Sequence, residues 1–183
     1  MDLRWPDETM LASYVDAIER GWSPHTMVAD EGLRELALIR LDPAAFVRQL
    51  VDLDASGADI PMPDGSFARR LPGYRKWMWD GGFCGSIGFR WQPGTAALPS
   101  YVLGHIGYSV VPWKRRQGCA TEALRLVLVD ATERGLPYVE LTTDPDNVGS
   151  QRVIEANGGV IVERFRRDDA YGATDALRYR IHL

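Results

Sequence analysis

Cysteine occurs only twice in the 183 residues, as Cys84 and Cys119, and histidine only three times. Two distant thiols without metal-ligand spacing exclude a zinc site and a disulfide framework, and they suit a reducing, cytoplasmic setting. Three scattered histidines give no metal site, so none is expected. Nowhere does the chain approach the roughly 18 consecutive apolar residues of a membrane span, and Met1-Asp2-Leu3-Arg4-Trp5-Pro6 lacks the basic start and apolar core of a signal peptide. Neither membrane nor export is expected. An excess of positive charge is missing too: 21 basic against 25 acidic residues leave a net charge of -4, which argues against a nucleic-acid partner. Both the nucleotide loop G-x-x-x-x-G-K-[ST] and the dinucleotide fingerprint G-x-G-x-x-G are absent.

What is present describes a globular protein, with 45% apolar and 25% charged residues in a length that suits one domain, 1–183. Its charge is uneven. Residues 1–72 hold 13 acidic and 7 basic side chains, and residues 73–183 hold 12 and 14. That asymmetry suits a polyanionic ligand on the back half and a cationic acceptor on the front.

Helical spacing of Met10, Leu11, Tyr14, Val15 and Ile18 predicts a helix over Thr9–Arg20, stopped by Gly21. A second is expected over Pro43–Leu53, with Asp42 as its N-cap and Pro43 at its first position. Asp30–Leu41 stays open between helix and strand. Ala55–Pro72, rich in Gly, Pro, Asp and Ser, reads as a loop. Tyr74–Trp79 and Phe83–Trp91 flank Asp80-Gly81-Gly82 as a β-hairpin, and Tyr101–Val111 reads as a strand. Next comes a helix with Ala120, Ala123, Leu124, Val127, Leu128 and Ala131 on one stripe, ended by Gly135 and Pro137. A strand over Tyr138–Thr143, a helix over Val148–Asn157 and strands near Val160–Phe165 and Ala176–His182 complete an α/β order, a mixed sheet with helices on both faces.

The junction Arg115-Arg116-Gln117-Gly118-Cys119-Ala120 carries the chemistry. A strand running into this turn and then a long helix leaves backbone N–H groups unpaired at the helix start, where the helix dipole favours an anion. Gly118 permits close backbone approach, Ala120 keeps the entrance narrow, and Lys114, Arg115 and Arg116 supply counter-charge. A pyrophosphate is the natural guest. Cys119 reads as a small residue of the turn in preference to a nucleophile. Trp77, Trp79 and Trp91 alternate on the hairpin and read as core before acceptor wall, and Arg75 and Lys76 as a solvated edge.

The turn resembles the R/Q-x-x-G-x-G/A signature of GNAT acetyltransferases, matched by Arg115, Gly118 and Ala120. Two further stretches are similar to the family in order: Gly104-His105-Ile106-Gly107-Tyr108-Ser109-Val110-Val111-Pro112 before the turn, and Asp146 through Gly159 after it. The resemblance covers Gly73 to about Phe165, and implies a GNAT-type sheet with an acetyl-CoA-binding core over 73–183 and a variable acceptor side over 1–72.

On that resemblance the coenzyme's pantetheine arm lies where the strand ending at Val111 parts from the strand ending at Thr143. Backbone groups of Val110 and Val111 would bond it, with Asn147 and Ser150 near the pantetheine and phosphate. The implied activity is direct transfer of an acetyl group from acetyl-CoA to a primary amine; a weakly catalytic acyl-CoA-binding module is the alternative. The family's usual proton-donating tyrosine is replaced here by Ile154, which leaves Ser150, Tyr108 and Tyr171 as substitutes. His105, titrating near neutrality and close to the family's base-bearing position, is the expected base. The acceptor and the oligomeric state, a homodimer included, stay open.

Overall fold

The computed structural model of the chain describes residues 1–25, 30–62, 65–168 and 172–183. It begins with a strand too short to show any period, β1 (Asp2–Arg4). A 3-10 turn leads into α1 (Leu11–Glu19). There Gly21, at a φ of 87°, lets the N–H groups of Gly21 and Trp22 reach back to Ile18 and Ala17 and end the helix. The stretch left open is helical, α2 (Glu31–Leu41). Asp42 caps α3 (Pro43–Gln49) as expected, its Oδ1 accepting the Ala45 N–H at 2.8 Å. That helix ends before Leu53 because Val51 and Asp52 form β2 (Val51–Asp52), paired with Tyr74 and Gly73. The expected loop contains a small ribbon, β3 (Ile60–Pro61) against β4 (Phe67–Ala68).

The hairpin stands where its turn residues place it, as β5 (Gly73–Trp79) and β6 (Phe83–Arg90). β7 (Ile106–Val110) is shorter than the β-rich run around it. Ahead of it the chain leaves the edge of β6, and the His105 N–H bonds the Glu140 carbonyl at 2.7 Å. Then follow α4 (Cys119–Glu133), β8 (Tyr138–Thr143), α5 (Val148–Glu155), β9 (Val160–Arg166) and β10 (Asp175–His182).

The α/β architecture with helices on both faces is the one found, and its sheet is parted. β1-β5-β6-β7, with β2 also on β5, forms one sheet, and β8-β10-β9 forms another. β7 and β8 share no ladder. They meet at the His105–Glu140 contact, where Gly104 lies so close that a Cβ would stand 3.0 Å from the Glu140 carbonyl oxygen. Beyond this joint they part.

Alternation along β5 and β6 sends Tyr74, Met78, Ile87 and Phe89 to one face, against Ala123, Leu124, Val127 and Ala131 of α4. Each fully buried Leu or Val there contributes about 1.5–3 kcal/mol. The opposite face holds Trp77, packed with Leu11, Tyr14 and Ile18 of α1 and Leu36 and Ile39 of α2. Trp77 stacks on Tyr14 at 4.7 Å with its surface fully buried, so it is core. Among the described residues no helix is long and apolar enough to cross a membrane.

Candidate active site

The helix start is built as the turn chemistry requires. Gly118 adopts a φ of 81° and Arg116 one of 59°, and no side chain caps α4. The ladder begins only with the Glu122 N–H bonded to the Gly118 carbonyl, so the N–H groups of Cys119, Ala120 and Thr121 have no partner within the helix. A Cβ at Gly118 would meet nothing within 4 Å, so the space in front of the turn is open. Arg115 and Arg116 are exposed beside it. These features fit a pyrophosphate. Lys114 is drawn aside by an ion pair with Asp80 at 2.9 Å, and Gln117 Nε2 donates to the Trp113 carbonyl. Cys119 is 6% exposed and packs into the core under α4, as a small turn residue does.

From this turn the chain leads back to β7 and a cleft of about 250 Å³ between β7 and β8. In an antiparallel pair alternate residues bond the neighbouring strand. Arg90 and His105 form one such pair, and the Val111 N–H bonds the Cys84 carbonyl at 3.0 Å. By the same alternation Gly107 and Ser109 bond β6, and the backbones of Tyr108 and Val110 turn away from it; Tyr108 lines the cleft and Val110 lies beyond its lining. Of the two valines expected to hold the pantetheine, Val110 has its carbonyl taken by Arg115 Nε at 3.2 Å and only its N–H turned from β6, and Val111 has its N–H bonded to β6. Val111 is fully buried, and its carbonyl also accepts the Lys114 N–H.

Two expected hydroxyls come together here from 42 residues apart. Tyr108 Oη lies 2.9 Å from Ser150 Oγ, and both residues line the cleft beside Ile154. Burial pushes the Tyr108 phenol up to about 12, against the Ser150 contact, so it stays protonated and able to donate at neutral pH. Asn147 also lines the cleft, with its Oδ1 engaged in capping α5 through the Ser150 N–H at 3.1 Å. Ile154 is buried, and a Cβ on Gly159 would come within 2.3 Å of it, which accounts for the second glycine of Gly158-Gly159.

His105 is placed otherwise than expected. Its ring is fully buried at the joint of the two sheets and does not line the cleft. Nδ1 accepts the Glu140 N–H at 3.0 Å, and Nε2 faces the Ala96 carbonyl without a well-formed hydrogen bond. Burial, partly offset by Glu140, depresses the imidazole to about 4, so the ring is neutral. A proton acceptor needs reach to its substrate, and this ring is not among the side chains that line the cleft. Tyr171 lies outside the described residues.

Residues that carry no motif in the sequence form the other end of the cleft. Arg75, Arg90 and Arg167 line it together with His25 and Tyr101, and a second cavity of about 440 Å³ shares Arg75, Arg90, His25 and Tyr101 with it. Arg75 is no solvated edge: Glu35, itself 2% exposed, holds its Nη1 at 2.7 Å. Lys76 on the opposite face is paired with Asp130 at 2.6 Å. Arg167, 6% exposed, bonds Asp144 and Thr174. No motif marks these side chains, because they come from β5, β6 and three separate loops that only the tertiary fold brings together.

Comparison with known proteins agrees with this geometry. Residues 33–160 match the acetyltransferase (GNAT) domain family. No curated protein matches the sequence. Similar solved structures include the microcin C7 self-immunity acetyltransferase MccE, in complex with acetyl-CoA and AMP, at 12% identity and a TM-score of 0.64, over 99% of this chain and 91% of that one. The ribosomal-protein acetyltransferase RimL with coenzyme A is similar at 14% identity and a TM-score of 0.62, over 99% and 93% of the two chains. The spermidine N-acetyltransferase SpeG of Vibrio cholerae is similar at 14% identity and a TM-score of 0.58, over 100% and 95%.

Proposed function

Because the chain belongs to the acetyltransferase (GNAT) domain family, we propose that it transfers an acetyl group from acetyl-CoA to a primary amine, by direct attack with both substrates bound to the one domain. The observation that carries this reading is the parting of β7 from β8, which opens a cleft beside an uncapped helix start and ends it among polar side chains of the acceptor side. The solved neighbours that hold acetyl-CoA or coenzyme A support the donor.

In this reading the N–H groups at the start of α4 and the guanidinium groups of Arg115 and Arg116 hold the pyrophosphate, and the backbone of Tyr108 with the N–H of Val110 holds the pantetheine. A free N–H on β7 polarises the thioester carbonyl, where charge develops as the amine attacks. The amine's proton passes to water in the open cleft. Tyr108 Oη, with Ser150 Oγ beside it, donates to the departing thiolate and takes the place of the hydroxyl that Ile154 lacks. His105 braces the joint from which the cleft opens.

The alternative of a weakly catalytic acyl-CoA-binding module is motivated by Ile154. One measurement separates the two. Thiol release from acetyl-CoA is followed over a panel of amines, beside thermal stabilisation by coenzyme A. Acceptor-dependent release supports transfer; saturable coenzyme binding with no release from any amine refutes it.

A further inference from the structure

Resting on that reading, the cleft also speaks to the acceptor. The acidic front of the chain suits a cationic acceptor, but the side chains that reach the cavities have the opposite balance. Among the described residues the two adjoining cavities are lined by Arg70, Arg75, Arg90 and Arg167 against two carboxylates, Asp52 and Asp144. Both carboxylates are engaged. Asp144 Oδ1 holds Arg167 at 2.5 Å, and Asp52 accepts the N–H groups of Ser56 and Gly57 at 2.8 and 3.1 Å and lies 4.0 Å from Arg70 Nε. Even with Glu35 counted behind Arg75, four arginines stand against three carboxylates among the described residues, a positive surplus in a protein of net charge -4. The pyrophosphate does not account for it, because its arginines, Arg115 and Arg116, stand at the start of α4.

Strand register shows how the surplus is presented. Arg75 on β5 stands opposite Gly88 on β6, and Gly88 opposite Gly107 on β7. Two glycines in a row leave a strip of sheet without side chains, running from the Arg75 guanidinium to the edge of β7 where the cleft lies. A Cβ on Gly107 would meet nothing within 4 Å, so the strip is open. On the same face the next row is Trp77, Ser86 and Ser109, and Trp22 packs beside it with its Nε1 donating to Ser109 Oγ at 2.9 Å. Arg75 is held from behind: Glu35 binds Nη1, and Tyr14 Oη in turn bonds Glu35. Its side chain is 25% exposed, while that of Glu35 is 3% exposed. The negative charge is therefore hidden behind the positive one, which faces the cavities. A guanidinium fixed in this way is a ready donor to a carboxylate or phosphate.

We propose that the acceptor is an amine that also carries an anionic group, a carboxylate or a phosphate, seated on Arg75 while its amino group lies along the glycine strip toward the thioester. Arg90 adds to the positive field, and Arg70 and Arg167, paired with Asp52 and Asp144, cancel the carboxylates that would oppose an anion. Among the described residues a polyamine finds no unengaged carboxylate there.

The test measures kcat/KM for thiol release with matched amines: alanine against alaninamide, phosphoethanolamine against ethanolamine, and spermidine as polycation. The anionic member of at least one pair is expected to lead by about tenfold or more, the effect of a charge-assisted hydrogen bond. Which pair shows the effect identifies carboxylate or phosphate. Alaninamide has the less basic and so more available amine, and a preference for alanine runs against intrinsic reactivity. Arg75→Gln is expected to raise KM for the preferred anion roughly 10- to 100-fold, collapsing the ratio within the pair, with coenzyme A stabilisation unchanged. If the lone substitution unfolds the protein by stranding Glu35, the double variant Arg75→Gln/Glu35→Gln removes both charges, and the pair ratios of the native protein need no variant. Neutral members or spermidine acting as well as the anions overturns the anion site and leaves acetyl transfer standing. No release with any amine, while coenzyme A still binds, refutes acetyl transfer and this inference with it.

Discussion

His105 gives the sharpest test, because a base and a brace respond to substitution in opposite ways. The imidazole is depressed from 6.5 to about 4 by burial. Between those values the unfolded chain binds the proton and the folded one does not. The contribution to stability is thus complete above 6.5 and is lost as the pH falls toward 4. At about pH 5 the loss is about 2 kcal/mol, which in a chain of this length lowers Tm by about 4–8 °C relative to neutral pH. His105→Ala removes the acceptor of the Glu140 N–H and leaves a cavity. A buried donor without a partner costs about 1–3 kcal/mol. Together these lower Tm at neutral pH by about 6–12 °C. His105→Asn can keep an acceptor near the position of Nδ1 and cannot titrate, so it is expected to lose less at neutral pH and to flatten the acid side of the stability curve. The assay is thermal melting of the three proteins across the range 4–7.5, beside kcat/KM on the best amine. A folded His105→Ala protein with native Tm, a rate reduced about 10²-fold or more and no acidic limb in its pH profile would refute the brace and restore the base.

Three further outcomes are expected. Tyr108→Phe, which removes the hydroxyl beside Ser150, lowers kcat about 10²-fold and leaves coenzyme affinity within a few-fold; an unchanged kcat shows that the thiolate needs no donor from β7. Gly118→Trp fills the space in front of the turn and abolishes stabilisation by coenzyme A, while the folded state loses only about 1–2 kcal/mol from the left-handed backbone; coenzyme A stabilisation of native size in the folded variant places the pyrophosphate elsewhere. Cys119→Ala retains most activity, since the thiol faces the core; inactivity with coenzyme A still bound would show that the sulfur takes part in the chemistry.

The residues by themselves determined whatever depends on near neighbours in the chain. The hairpin follows from Asp80-Gly81-Gly82, the start of α3 from Asp42 and Pro43, the anion-ready helix start from Gly118, and the cap of α5 from Asn147. Each rests on backbone conformation or on a hydrogen bond spanning a few positions. β1 and β2 escaped notice because two or three residues have no period, and their identity comes from pairing with β5.

Tertiary structure decided what depends on partners far apart in sequence. It put Tyr108 against Ser150, gave the Val110 carbonyl to Arg115 and the Val111 N–H to Cys84, and buried His105 at the joint of the two sheets. The apparent solvated edge at Arg75 became a fixed cation, because its partner Glu35 is 40 residues away on α2. Titration and recognition depend on the local dielectric and on charges that only folding brings within reach. An acidic amino-terminal half could therefore foretell nothing about the sign of the cleft it helps to build.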